Sequence, residues 1–273
     1  MNGEPDFRFA ILQKQLLKLK EEPMLFEIKD LKFIHEDGTV ALDGVTANIR
    51  AGERIAILGS SPSGKTTLLN ALYGLLEPSG GAIFFEGRRL GEKALCDPLF
   101  HLEFRSRVGL LCQNVHAHFS FNDAFEEVAS WGRIGCEVNA RIRKILAPIE
   151  SSHLSSRPAL RMSESERRKL AIASVFAMNP DVILMDEPFA GLDLITRSWL
   201  LDLLNSAQNM GKTTIIATNS LDWLPKVADR ALVLSADHQH LGTFNVMGLL
   251  AELAILNDAD LLNASDEVPV FVN

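Results

Sequence analysis

Gly59-Ser60-Ser61-Pro62-Ser63-Gly64-Lys65-Thr66 is the stretch that decides the fold. It fits the pattern of Gly, four residues, then Gly-Lys-Ser/Thr. Before it stands Arg54–Leu58, an apolar run with the character of a buried strand, and after it Lys65–Leu76 reads as a helix. Strand, tight loop and helix start, in that order, aim backbone N–H groups and the positive end of a helix dipole at an anion. Lys65 is placed to reach the outer phosphates of a nucleotide, and Thr66 to offer a hydroxyl to Mg²⁺. Gly59, Ser60, Ser61, Pro62, Ser63, Gly64, Lys65, Thr66 and Thr67 are therefore the candidate phosphate-binding residues. Pro62 stands where most such loops use glycine, and it lacks an N–H. The cradle is expected to rest on the amides of Ser63 to Thr67, with some loss of affinity.

Downstream, Val182-Ile183-Leu184-Met185-Asp186-Glu187 sets four apolar residues before two carboxylates. A strand buried on both faces delivers its polar groups at its C-terminal end, where open α/β sheets bind ligands. Asp186 is placed to hold Mg²⁺ through its water shell, and Glu187 to position or activate a water. Pro188 ends the strand, and Gly191-Leu192-Asp193 follows.

The rest of the chain alternates in the same manner. Strands are predicted at Leu25–Phe33, Val45–Ile49, Ala82–Phe85, Val108–Leu111, Thr213–Thr218 and Ala231–Leu234. Helices are predicted at Ser165–Ala177, Leu194–Ala207 and Val246–Leu256, with mostly helical patterning from Phe121 to about Ser156. This implies an α/β fold with a mainly parallel sheet and a helical insertion. The expected division is an N-terminal helical extension at 1–23, a nucleotide-binding domain at 24–250 and a tail at 251–273. Within the domain, 24–96 and 161–250 form the core and 97–160 the helical subdomain. Phe9, Leu12, Leu16 and Leu19 give residues 7–20 one apolar helical side, suited to docking or to a membrane surface or partner.

Composition narrows the function. Hydrophobic residues make up 47% of 273, enough for a substantial core, and the formal net charge is -8. An acidic protein lacks the basic footprint that nucleic acid demands. Cys96, Cys112 and Cys136 match neither a zinc nor a redox spacing and read as reduced thiols. No apolar run approaches the length of a bilayer span, and Met1–Pro5 lacks the character of a signal peptide. A membrane role would be exercised from the cytoplasm through a partner.

With these motifs in order, residues from about Leu25 to Leu250 resemble the ATP-binding cassette family. His35, in His35-Glu36-Asp37-Gly38-Thr39, falls where the family stacks an aromatic ring on adenine. Gln113 matches the lid glutamine that senses metal and contacts the transmembrane partner. Arg161–Asp193 resembles the signature helix, second acidic motif and Asp loop. Gln113-Asn114 and Ala190-Gly191-Leu192-Asp193, with the His35 segment, look like the cobalt/nickel and energy-coupling-factor importer branch. The resemblance implies MgATP held between two head-to-tail cassettes, each phosphate loop facing the other's signature. It also implies transmembrane permease subunits, and a place at the inner face of the cell membrane.

Two departures bear on activity. The family's Leu-Ser-Gly-Gly-Gln signature reads Met162-Ser163-Glu164-Ser165-Glu166. Ser163 is kept, but two carboxylates would face a partner's γ-phosphate, and repulsion prevails unless Arg161, Arg167 or Arg168 neutralises them. The same four residues, Ser163 to Glu166, also spell a helix capping box. Asn219 replaces the family's phosphate-contacting histidine, trading a charge-assisted bond for a neutral one. With Glu187 retained, slow or partner-dependent hydrolysis is expected. The rival readings are a non-hydrolysing scaffold or regulatory half of a cassette pair, and a cassette devoted to DNA or cluster assembly.

His116-Ala117-His118 and His238-Gln239-His240 offer too few ligands for a metal site and read as loop histidines. Trp131, Trp199 and Trp223 are expected to pack. Phe119, Phe121 and Phe125 form either a docking patch for the membrane partner or plain core.

Overall fold

Alternate side chains of one short strand enter two different cores, and this sets the layering. In β3 (Arg54–Leu58), Ile55 and Ile57 belong to one apolar cluster, Ala56 and Leu58 to another. In β7 (Val182–Asp186), Val182 and Leu184 likewise part from Ile183 and Met185. A period of two with both faces apolar is what a central parallel strand requires. The computed structural model describes residues 24–114, 135–158 and 161–261.

The described residues form two sheets. One is antiparallel, in the order β2-β1-β4-β5, from β1 (Met24–Ile34), β2 (Val40–Arg50), β4 (Gly80–Phe85) and β5 (Arg88–Leu90). The other runs β10-β9-β3-β8-β7-β6, with β6 (Val108–Leu111), β8 (Thr213–Thr218), β9 (Arg230–Leu234) and β10 (His240–Asn245). Its neighbouring strands are parallel except at the β10 edge. Helix α1 (Lys65–Leu72) contributes Leu68, Leu69 and Leu72 to the cluster shared by the two sheets. The opposite cluster gathers α3 (Gly135–Leu146), α4 (Glu164–Ala177) and α5 (Leu194–Asn209), with Val138, Ile142, Leu170 and Trp199 among its buried residues. Trp199 Nε1 donates to the Ile145 carbonyl at 2.8 Å, joining α5 to α3, and Trp223 stacks on Phe189.

The expected class holds: a mainly parallel P-loop sheet with antiparallel N-terminal strands. Several details differ. The helix expected over Lys65–Leu76 ends at Leu72. The helix expected over Val246–Leu256 is two, α6 (Val246–Ala251) and α7 (Leu253–Asp258), because Glu252 leaves helical geometry at φ −104°, ψ 82°. Strands β5 and β10 were not expected, being short or half-exposed without clean alternation. Helix α2 (Pro98–Arg107) buries Phe100 and Phe104, and Phe104 meets Phe85 of the antiparallel sheet edge-on at 5.0 Å. With β6 in the parallel sheet, we propose that the inserted unit starts after Leu111 rather than at 97. The expectations for 1–23, His116, His118, Phe119, Phe121, Phe125, Trp131, Cys136 and 262–273 concern side chains or segments outside the described residues.

Arg107 ties the two sheets together at their rim. Its guanidinium donates to both oxygens of Glu86 at 2.6 and 2.7 Å and to Asp181 at 3.0 Å. Lys212 also reaches Asp181, at 3.2 Å. The Arg107 hydrogen bonds hold the Glu86 carboxyl below its ordinary range. For Asp181 burial acts upward, but Arg107 and Lys212 outweigh it and the shift is downward. Depressed carboxylate pKa values stabilise the fold above the ordinary value and lose that contribution as pH falls through the depressed one. Arg107→Met is therefore expected to flatten the acid limb of thermal stability below about pH 4, modestly because the cluster is partly exposed. Melting temperatures of both proteins from neutral to acid pH check this; parallel acid limbs would contradict it.

Candidate phosphate and metal site

Four candidate elements meet at one sheet edge because β3, β6, β7 and β8 run parallel. Leu58 lies beside Thr218, Asp186 beside Ala217, and Leu111 beside Met185. The phosphate loop, Gln113, Asp186-Glu187 and Asn219 thus all follow strand C-termini, the side on which such sheets bind ligands.

The loop turns tightly. A Cβ on Gly59 would lie 2.3 Å from Ser63 Oγ and 2.7 Å from the Leu234 carbonyl. Gly64 has φ 94°, and a Cβ there would lie 2.1 Å from the Ala41 carbonyl. Both positions admit glycine alone. Gly64 is also the N-cap of α1 and supplies no side-chain oxygen, and no acidic residue stands in the first turn. The helix start thus brings no anion of its own to its amides. The Ser60 amide donates to the Ala259 carbonyl at 3.2 Å, so that donor is engaged just after α7, while the Ser63 amide bonds back to Ser60 at 3.0 Å.

Lys65 is 7% exposed, and its ammonium donates to the carbonyls of Gly59 at 2.8 Å and Ser60 at 2.6 Å. Burial pushes its pKa down, against the pull of Glu187 and Asp186. Thr66 Oγ1 donates to Asp186 Oδ2 at 2.6 Å, joining the two motifs directly. Asp186 is 2% exposed, and its Oδ1 has no hydrogen-bond partner among the described residues. Burial raises the Asp186 carboxyl, opposed by Thr66, Lys65 and Arg168.

Glu187 holds a left-handed backbone, φ 44°, worth about 1–2 kcal/mol of strain for a residue with a Cβ. Several bonds impose it. Its amide donates to Ala217 at 2.9 Å, and its carbonyl accepts from Arg168 Nη2 and from the Ala190 amide at 3.2 Å. Its carboxylate accepts from Thr218 Oγ1 at 3.0 Å and from the Asn219 amide at 2.9 Å. Burial is the leading cause of its raised pKa.

A cleft of about 270 Å³ lies over the loop, lined by His35, residues 61–67 and His238 among others. His35 is fixed by a turn, its amide donating to Thr39 at 2.8 Å, and by an edge contact with the Phe33 ring at 5.1 Å. Ser163 is not in this cleft. It caps α4, where Ser163 Oγ accepts from the Glu166 amide at 3.2 Å and Glu166 Oε2 accepts from the Ser163 amide at 2.8 Å. The cation on Glu166 is Arg157, at 2.8 Å. The sequence offered Arg161, Arg167 and Arg168 for that duty; Arg168 instead is buried and serves main-chain carbonyls. His238 was read as a loop histidine and lines the cleft. Its approach depends on the bridge between Asp43 and Gln239, distant in sequence, so no local signal announced it.

Residues 42–190 match the family model described as ABC transporter. The chain belongs to the ABC transporter family. It is 35% identical over 247 residues to a putative ABC transporter ATP-binding protein of Methanosarcina acetivorans, covering 88% of this chain and 89% of that one. With the nickel import ATP-binding protein NikO of Rhodobacter capsulatus it shares 34% identity over 254 residues, 88% and 97% of the two chains. Among solved structures it resembles cbiO1 of Clostridium perfringens, part of the ABC transporter complex cbiONQ. That match has TM-score 0.68 and 28% identity over 88% of this chain and 96% of the other. The chain is an ATP-binding subunit of this ATPase family, and no helix among the described residues is long and apolar enough to cross a membrane.

Proposed function

We propose that this cassette binds MgATP at Gly59–Thr67 and hydrolyses it slowly unless partners complete the site, driving import of a metal ion or vitamin through membrane subunits. The observation that carries the reading is the Thr66–Asp186 hydrogen bond beside the partnerless Asp186 Oδ1. A buried carboxylate with one oxygen unsatisfied, next to a hydroxyl, suits a hard cation. Among the described residues no group of three or more His, Cys, Asp or Glu forms a metal cage. That fits Mg²⁺, which takes few protein ligands and completes its shell with phosphate and water. Thr66 and Asp186 would hold it, with Gln113 nearby as sensor, and the bound ion would offset charge on the phosphates.

In this reading the other candidate residues take the following roles. His35 stacks on the base. Lys65 turns from its own loop carbonyls to the outer phosphates. Glu187 orients and activates the attacking water. Ser163 serves the nucleotide of a second cassette, with Arg157 cancelling the Glu166 charge that would otherwise repel it. A pair of cassettes, equal or unequal, then works at the cytoplasmic face of a permease; that cbiO1 is part of the ABC transporter complex cbiONQ supports a multi-subunit assembly. The importer reading rests on the likeness to NikO, a nickel import ATP-binding protein.

Asn219 supplies the sharpest test. Its backbone amide holds Glu187, which a side-chain change leaves intact. Restoring a cationic donor with Asn219→His is expected to speed hydrolysis about tenfold, the worth of a charge-assisted over a neutral bond. Single-turnover ATPase assays with and without a second, intact cassette, on complexes co-purified from membranes, decide it. An isolated chain as fast as the assembled complex would contradict partner dependence.

A further inference from the structure

Arg168 is a buried cation to which the proposed function assigns no role. It projects from the second turn of α4, 7% exposed, and hydrogen-bonds main-chain oxygens. Nη2 donates to the Glu187 carbonyl, and Nη1 lies 3.5 Å from the Gln113 carbonyl. A guanidinium placed only for stability is ordinarily paired with a carboxylate. Here Asp186 and Glu187 act on it through space, as does Glu164 at the helix start, while its donors go to two loops at the sheet edge. The left-handed turn at Glu187 needs outside support, and the Arg168 bond falls on the carbonyl of that residue.

We infer that Arg168 is a positioning residue for hydrolysis: it fixes the Glu187 turn and the start of the Gln113 segment together, and ties both to the helix that begins at Ser163. Displacement of that helix then reaches Glu187 through one rigid side chain. The planar fork presents a separate nitrogen to each of the two carbonyls, whereas lysine brings a single nitrogen for both. The inference rests on Glu187 acting as the base.

Hydrogen exchange on the full chain, comparing Arg168→Met and Arg168→Lys with the parent protein, tests it. For Arg168→Met, faster exchange is expected in both 112–114 and 187–192, with β7 staying protected. Arg168→Lys is expected to restore one segment only. In the membrane-assembled complex, kcat of the Met variant is expected to fall about ten- to hundredfold with KM unchanged, as misplacement of a reacting group does. Unchanged exchange in 187–192 would overturn the inference. So would loosening spread evenly through α4 and β7, which marks plain packing. A parent complex with no ATP turnover would instead sink the Glu187 reading, while the exchange result still judges Arg168.

Discussion

Lys65→Ala is expected to weaken ATP binding by about a hundredfold or more while leaving the fold intact. A lysine over a triphosphate makes charge-assisted bonds of about 1.5–3 kcal/mol each, so losing two costs at least two decades of affinity. The fold should tolerate the change because, among the described residues, the ammonium hydrogen-bonds Gly59 and Ser60 of its own loop. Its lowered pKa, caused first by burial, also marks the charge as a burden on the protein. The turn itself rests on Gly59 and Gly64, which the substitution does not touch. Calorimetric titration with ATP, alongside a thermal melt, measures both halves. A variant with parental affinity would mean that the phosphates lie elsewhere.

Glu187→Gln separates binding from chemistry. The carboxamide matches the carboxylate in shape and keeps an oxygen to accept from Thr218 or Asn219. It cannot take a proton from water at neutral pH. General-base catalysis contributes roughly 10²–10⁴-fold, so turnover should fall by about that factor while ATP remains bound. Rapid mixing of enzyme and limiting ATP, followed by quantification of released phosphate, gives the rate without interference from product release. Loss of affinity equal to the loss of rate would move Glu187 from base to binding residue.

The parts that could be read in advance were those written in consecutive residues. Gly59–Thr66 announces a phosphate loop because the chemistry needs a strand end, two glycines and a helix start in unbroken order. Val182–Glu187 is legible for the same reason. The capping box at Ser163–Glu166 was legible too, since a cap uses residues three apart. What escaped depends on pairings that no local period encodes. Arg157 reaches Glu166 across the turn before α4. His238 joins the cleft because the β9–β10 turn bridges to Asp43. Arg168 was read as a candidate counter-charge to the signature carboxylates, yet its side chain faces the sheet edge. The single helix expected over 246–256 failed for a different reason: its apolar spacing continues through Glu252, while the backbone does not.

The most direct measurement is titration of the purified chain with ATP, in Mg²⁺ and again in excess chelator. Saturable binding of one nucleotide per chain, markedly tighter with Mg²⁺, is the result expected from Thr66 and Asp186 meeting beside the loop. Absence of binding, or binding indifferent to the metal, would contradict it.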